Sequence, residues 1–130
     1  MGSCESLYVE VLQLQSRYAL SLDTKDWHLV EQVFAPDARV TYHGTEYRGV
    51  ASIRRYLELR LSHVGVSQHL ISNLVLRTEG GDCPNATCAF RATIFASTGH
   101  LMRETFGFFH DTVDRVGSGW RIVERVVDAG

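Results

Sequence analysis

The sequence predicts an α+β domain, with helices of the N-terminal half closing the concave face of a cone-shaped, curved antiparallel mixed sheet. Three observations carry this. Apolar residues in the first half recur at steps of three and four. The second half holds long segments rich in Val, Ile, Thr and Phe. The turns between those segments are short, and a parallel crossover needs about a dozen residues, so consecutive strands must pair antiparallel. Strands of such length curl, and helices across the hollow side leave an apolar interior suited to a small molecule.

Taken in order, Leu7, Val11, Leu14, Tyr18 and Leu22 form one apolar stripe, which predicts a first helix with Ser3 as its N-cap. Asp23-Thr24-Lys25 ends it. Trp27, Val30, Val33 and Phe34 predict a short second helix, stopped at Ala35-Pro36-Asp37 because proline disfavours helix in the residue before it. Residues 39–43 and 46–48 read as a small hairpin around Gly44. A third helix is expected over 52–62, with Ile53, Leu57 and Leu61 inward. Four strands follow, near 68–78, 86–98, 101–115 and 120–127.

The chain has 130 residues, enough for one domain, read here as residues 1–130. Lys+Arg 13 against Asp+Glu 15 gives a formal charge of -2, which provides no electrostatic footprint for nucleic acid or an anionic membrane. No apolar run approaches the roughly 18 residues of a membrane span, and no signal-peptide core opens the chain, so a cytoplasmic location is expected. Residues 1–6 fit the loose N-myristoylation pattern, a short and often accidental match. Cys4, Cys83 and Cys88 are odd in number and lack metal spacing, so reduced thiols and no metal site are expected. Phosphate loops, nucleophile elbows and dinucleotide fingerprints are absent.

Candidate chemistry starts on the first long strand. Alternation puts His69, Ile71, Asn73 and Val75 on one face and Leu70, Ser72, Leu74 and Leu76 on the other. A regular turn sets Ile94 opposite His69 and Phe90 opposite Asn73, so His69 would project into an apolar cavity. Tyr18 shares the inward stripe of the first helix. Asp23, five residues on, would sit about 140° away on a continuous helix, but swings inward if the helix ends near Leu22. A carboxylate there would fix the His69 tautomer and brace its cation. The plainer alternatives are a core histidine bonded to a carbonyl, an N-cap role for Asp23, and simple packing for Tyr18. His110 could face inward with the run 106–109, which does not settle its side. His43 is expected at a solvated turn.

The order Tyr18-(x)4-Asp23-x-x-Asp26-Trp27, Phe34-Ala35-Pro36-Asp37-Ala38, Gly49, Ile53, His69-(x)3-Asn73, Gly107-(x)3-Asp111 and Trp120-Arg121-Ile122 resembles the SnoaL-like branch of the nuclear-transport-factor-2-like (NTF2-like) superfamily. The likeness runs from about Leu7 to Val127. It implies a cofactor-independent dehydratase, isomerase or cyclase for a hydrophobic, cyclic or polyketide-like metabolite; other members are binding or assembly modules. It also implies Tyr18, Asp23 and His69 as catalytic residues, matching those of the dehydratase-like members. Those enzymes usually place a second His or Asp on the following strand, where this chain has Phe90-Arg91-Ala92-Thr93-Ile94. Trp27, Tyr42, Asn73 and Phe90 would line the substrate site. A homodimer through the outer sheet face is expected, or a trimer as in some relatives. Leu70, Leu74 and Leu76 need cover on that face.

Overall fold

The computed structural model describes residues 4–80 and 83–129, without the side chains of residues 4 and 5. The Ser3 cap, the lipidation pattern and part of the 80–84 turn lie outside the described residues. The element order is α1 (Cys4–Asp23), a 3-10 helix η1 (Trp27–Gln32), β1 (Phe34–Tyr42), β2 (Thr45–Arg48), α2 (Val50–Arg60), β3 (Val64–Arg77), β4 (Asn85–Ala96), β5 (Leu101–Val116) and β6 (Gly119–Ala129).

The six strands form one curved sheet in the order β2-β1-β6-β5-β4-β3. Strands β3 to β6 are an antiparallel meander, whereas β1 joins β6 in parallel. Phe34, expected in the second helix, belongs instead to β1, which starts there and runs through 35–37. Pro36 is tolerated because β2 pairs only with Arg39 to Tyr42, and pairing with β6 is irregular between Phe34 and Arg39. Gly49 (φ 84) then turns the chain into α2, in a backbone conformation that L side chains rarely adopt.

The helices close the hollow side. Val11, Leu14, Tyr18 and Leu22 of α1 are buried, as are Val30, Val33, Ile53, Leu57 and Leu61. Residues 27, 30 and 33 share a face at three residues per turn. That face packs onto the core, so Trp27 is half-buried against the core and is not part of the cavity wall expected for it.

One irregularity in β3 changes the expected alternation. His69 pairs with Ala92 and Ile71 with Phe90, but Val75 pairs with Thr87, so the register shifts between Ser72 and Val75. Asn73 sits in this bulge with φ 57, a left-handed conformation that Asn accepts more readily than most residues. Two expectations therefore fail. Asn73 is exposed and does not line the cavity, and Leu74 and Leu76 pack against the core while Val75 is exposed. The expected pairings of Ile94 with His69 and Phe90 with Asn73 are each displaced by two positions: one comes from this bulge, and the other is already present on its turn side, where Arg77 pairs with Asn85.

Candidate active site

The end of α1 meets β3 at one carboxylate. Asp23 is the last residue of α1, which places its side chain beside the inward row of β3. Asp23 Oδ1 accepts from His69 Nδ1 at 2.6 Å and from Ser67 Oγ at 3.0 Å; Oδ2 accepts from the His69 backbone N–H at 2.7 Å. Both the ring and the backbone of His69 are thus held by one group. A carboxylate accepts only, so Nδ1 carries the proton and Nε2 keeps the lone pair. Among the described residues no hydrogen bond occupies Nε2. Asp23 is not an N-cap: the residue before η1 is Asp26, which makes no side-chain cap bond.

His69 opens onto a cavity of about 380 Å³ whose wall includes Tyr18, Leu22, Tyr42, Leu57, Phe90, Ile94 and Phe109. Across the sheet, His69 pairs with Ala92 and Ala92 with Thr105. The methyl of Ala92 between two larger residues leaves the floor open. Phe90 stacks on Phe109 with ring centroids 4.4 Å apart, making a flat apolar surface beside His69.

Two phenols supply the polar part of the wall. The Tyr18 and Tyr42 hydroxyls are 3.0 Å apart. Burial, foremost, pushes both above the ordinary phenol range, Tyr42 well above, where the neighbouring Tyr18 adds to the rise. Both are therefore protonated at neutral pH. One hydroxyl donates to the other, which leaves a second proton for an oxygen in the cavity. The nearby Arg125 cation opposes the rise and favours charge build-up on Tyr18.

The sequence pattern of the SnoaL-like domain matches residues 6–126. The chain belongs to this family. A curated relative, the uncharacterized protein Rv2910c of Mycobacterium tuberculosis, is 26% identical over 121 residues, covering 91% of this chain and 82% of the relative. The Kfla4162 protein of Kribbella flavida superposes with a TM-score of 0.85 at 19% identity, over 98% of this chain and 93% of that one. A scytalone dehydratase-like protein of Novosphingobium aromaticivorans gives 0.81 at 17% identity, over 95% and 83%. These likenesses show the NTF2-like fold.

Beneath the cavity, the SnoaL-like cone contains a second polar cluster that sequence reasoning missed. Arg125 donates through Nε to Asp111 Oδ1 and through Nη2 to Asp111 Oδ2, both at 2.8 Å. Gln15 Nε2 donates to Asp111 Oδ2 at 2.6 Å, and Arg125 Nη2 donates to Gln15 Oε1. The guanidinium carbon lies 3.9 Å from the Phe109 ring centroid and 4.5 Å from that of Tyr18. Burial alone would lower the Arg125 pKa, but Asp111 outweighs it and raises the pKa above its usual value. Nη1 has no hydrogen-bond partner among the described residues. A signal was available: Asp111 alternates with Phe109 and Val113, so an inward carboxylate needed a cation.

Of the predicted site residues, the cavity brings together Tyr18, Tyr42, His69 and Phe90, with Asp23 behind His69. Trp27 and Asn73 lie elsewhere. His110 is exposed on the convex side, with Nε2 3.7 Å from Asp128, and Arg91 shares that side. Cys88 is a buried free thiol. No group of three His, Cys, Asp or Glu among the described residues could hold a metal ion. Among the described residues no helix is long and apolar enough to cross a membrane. Arg60, Arg103 and Thr105 also line the cavity and were not expected there. Arg103 and Thr105 follow the inward parity of Phe109, which the doubly apolar run 106–109 obscured.

Proposed function

We propose that the protein is a cofactor-independent acid/base enzyme that dehydrates, isomerises or cyclises a hydrophobic, cyclic or polyketide-like metabolite carrying a carbonyl. The observation that supports this most is the Asp23–His69 pair, which leaves Nε2 free at an apolar cavity. Nε2 removes a proton from carbon next to the carbonyl, and the C–H electron pair moves onto the carbonyl oxygen. Tyr18, supported by Tyr42, donates a hydrogen bond to that oxyanion. Asp23 holds the imidazolium that forms. When the electrons return, they expel a β-hydroxyl that takes the proton from His69 and leaves as water, or they capture that proton at another carbon. In ring closure they attack a second carbonyl, whose oxygen takes the proton. The scytalone dehydratase-like neighbour agrees with the first outcome.

The test is turnover of a panel of β-hydroxy ketones, β,γ-unsaturated ketones and polyketide-type diketones. His69→Ala is expected to lower kcat/KM by at least about 10³-fold, and Tyr18→Phe by about 10²-fold, with the fold intact. Wild-type turnover by folded His69→Ala overturns the reading.

We also propose a homodimer through the convex sheet face. Phe106 and Phe108 of β5, Leu70 of β3 and Val126 of β6 are exposed on that face, and a monomer rarely leaves such an apolar patch in water. Sedimentation should give a dimer that Phe106→Glu with Phe108→Glu converts to monomer. A wild-type monomer or trimer overturns it.

A further inference from the structure

The chain as a whole carries a formal charge of -2, yet the cavity wall has the opposite character. It includes Arg60, Arg103 and two histidines and, among the described residues, no Asp or Glu. Arg60 closes the last turn of α2, and Arg103 starts the inward row of β5. Neither guanidinium forms an ion pair among the described residues, whereas Arg39, Arg48, Arg54 and Arg125 all do. The carboxylates near these two arginines in sequence are engaged elsewhere. Glu58 takes Arg54, and Glu104, on the opposite face of β5, accepts from Thr93.

The position of Arg103 relative to His69 also matters. Arg103 pairs with Ile94, Ile94 with Ser67, and His69 lies one inward step beyond Ser67. The arginine is thus two strands and one inward step from the imidazole, roughly 12 Å along the sheet. Between them the wall is Ala92, Ile94 and Thr105. Arg60 reaches the same end of the cavity from the helical side. There it lies close enough to Tyr56 to oppose the rise that burial gives that phenol, as Arg103 also does.

We propose that Arg60 and Arg103 form an anion subsite, and that the substrate is an amphiphile: an apolar body over Phe90 and Ala92, with a carboxylate at the end far from His69. This rests on reading the cavity as a substrate site. It adds a substrate class and a means of orientation. A planar carboxylate suits a guanidinium fork, and a low-dielectric wall strengthens the attraction. Fixing the tail in the cationic end places the carbon skeleton, and hence one C–H bond, against Nε2.

The experiment compares two matched probes, 1-naphthylacetate and 1-naphthylacetamide, by calorimetry on the full chain. The carboxylate is expected to bind about tenfold more tightly, with a preference that shrinks as salt rises. Arg60→Gln with Arg103→Gln should abolish the preference while leaving amide binding within about twofold. His69→Ala should keep it. Both arginines are exposed, so the fold should survive; each single variant should lose part of the preference. Equal affinity for the two probes overturns the subsite but leaves the catalytic reading intact. Preference that persists in the double variant and disappears in His69→Ala shows the imidazolium as the anion site, which also overturns it. If neither probe binds at millimolar concentration, the claimed ligand class is wrong. Loss of turnover in His69→Ala is a separate measurement, so the two readings can fail independently.

Discussion

Among the described residues, two inward carboxylates of this cone each hold a nitrogen side chain, and their surroundings differ. Asp23 and His69 join the end of α1 to β3, with side chains 18% and 9% exposed. Asp111 and Arg125 join β5 to β6 with both side chains fully buried. Each carboxylate also bonds a third residue, Ser67 in one case and Gln15 in the other. The first pair leaves a lone pair on a nitrogen at a cavity. The second presents a permanently charged guanidinium to aromatic rings. The same donor–acceptor logic thus fixes an imidazole at the cavity in one case and ties two strands to a helix in the other.

The largest expected effect on stability comes from breaking the sealed pair. Asp111→Ala leaves Arg125 charged and without its main partner in the core, and should cost about 3–5 kcal/mol in urea unfolding. The double variant Asp111→Leu with Arg125→Met should lose markedly less, because no charge is stranded. A double variant as unstable as the single one would mean that the pair is not acting as a charge pair.

Asp23→Asn tests the other side of the comparison. It keeps the shape of the side chain but no longer dictates which His69 nitrogen carries the proton. Turnover should fall about 10²–10⁴-fold, while stability changes by only about 1 kcal/mol. A stability loss as large as that of Asp111→Ala, with turnover retained, would make Asp23 a structural residue like Asp111.

The smallest effect concerns Cys88, beside the sealed pair. Burial, foremost, pushes its thiol up to about 11 from 9.0. The unfolded chain therefore releases this proton first. Stability is full below pH 9 and declines as pH rises toward 11. Between pH 9 and 10 the Cys88 share of the decline should be about 1 kcal/mol, on top of what the raised phenols of Tyr18, Tyr42 and Tyr56 add as pH nears 10. Cys88→Ala should flatten it in urea titrations at stepped pH. An unchanged slope would assign the loss to other groups.

Much of the architecture was legible because periodicity reports burial directly. The stripe Val11, Leu14, Tyr18 and Leu22 and the row Cys88, Phe90, Ala92 and Ile94 are buried as their spacing requires. The position of His69 was legible for the same reason, since alternation from Ser67 to Ser72 is regular. What escaped depended on partners distant in the chain. Arg125 reads as a surface residue until Gln15 and Asp111 are brought to it from two other elements. Trp27 was assigned to the cavity because an apolar residue near a candidate carboxylate has no direction in sequence alone. Asn73 was misplaced because period-two counting assumes that no residue is added to one strand of a pair.

That extra residue in β3 has a consequence for how the strand can change. Upstream of Asn73, the parity of the strand serves the cavity, turning Ser67 and His69 to the hollow. Downstream it serves adhesion, turning Leu74 and Leu76 to the hydrophobic interior. A straight strand would need a single phase for both tasks. The bulge resets the phase, so mutations on one side can drift without rotating the other out of place, and losing that one position would turn two leucines out to water while the imidazole stayed where it is.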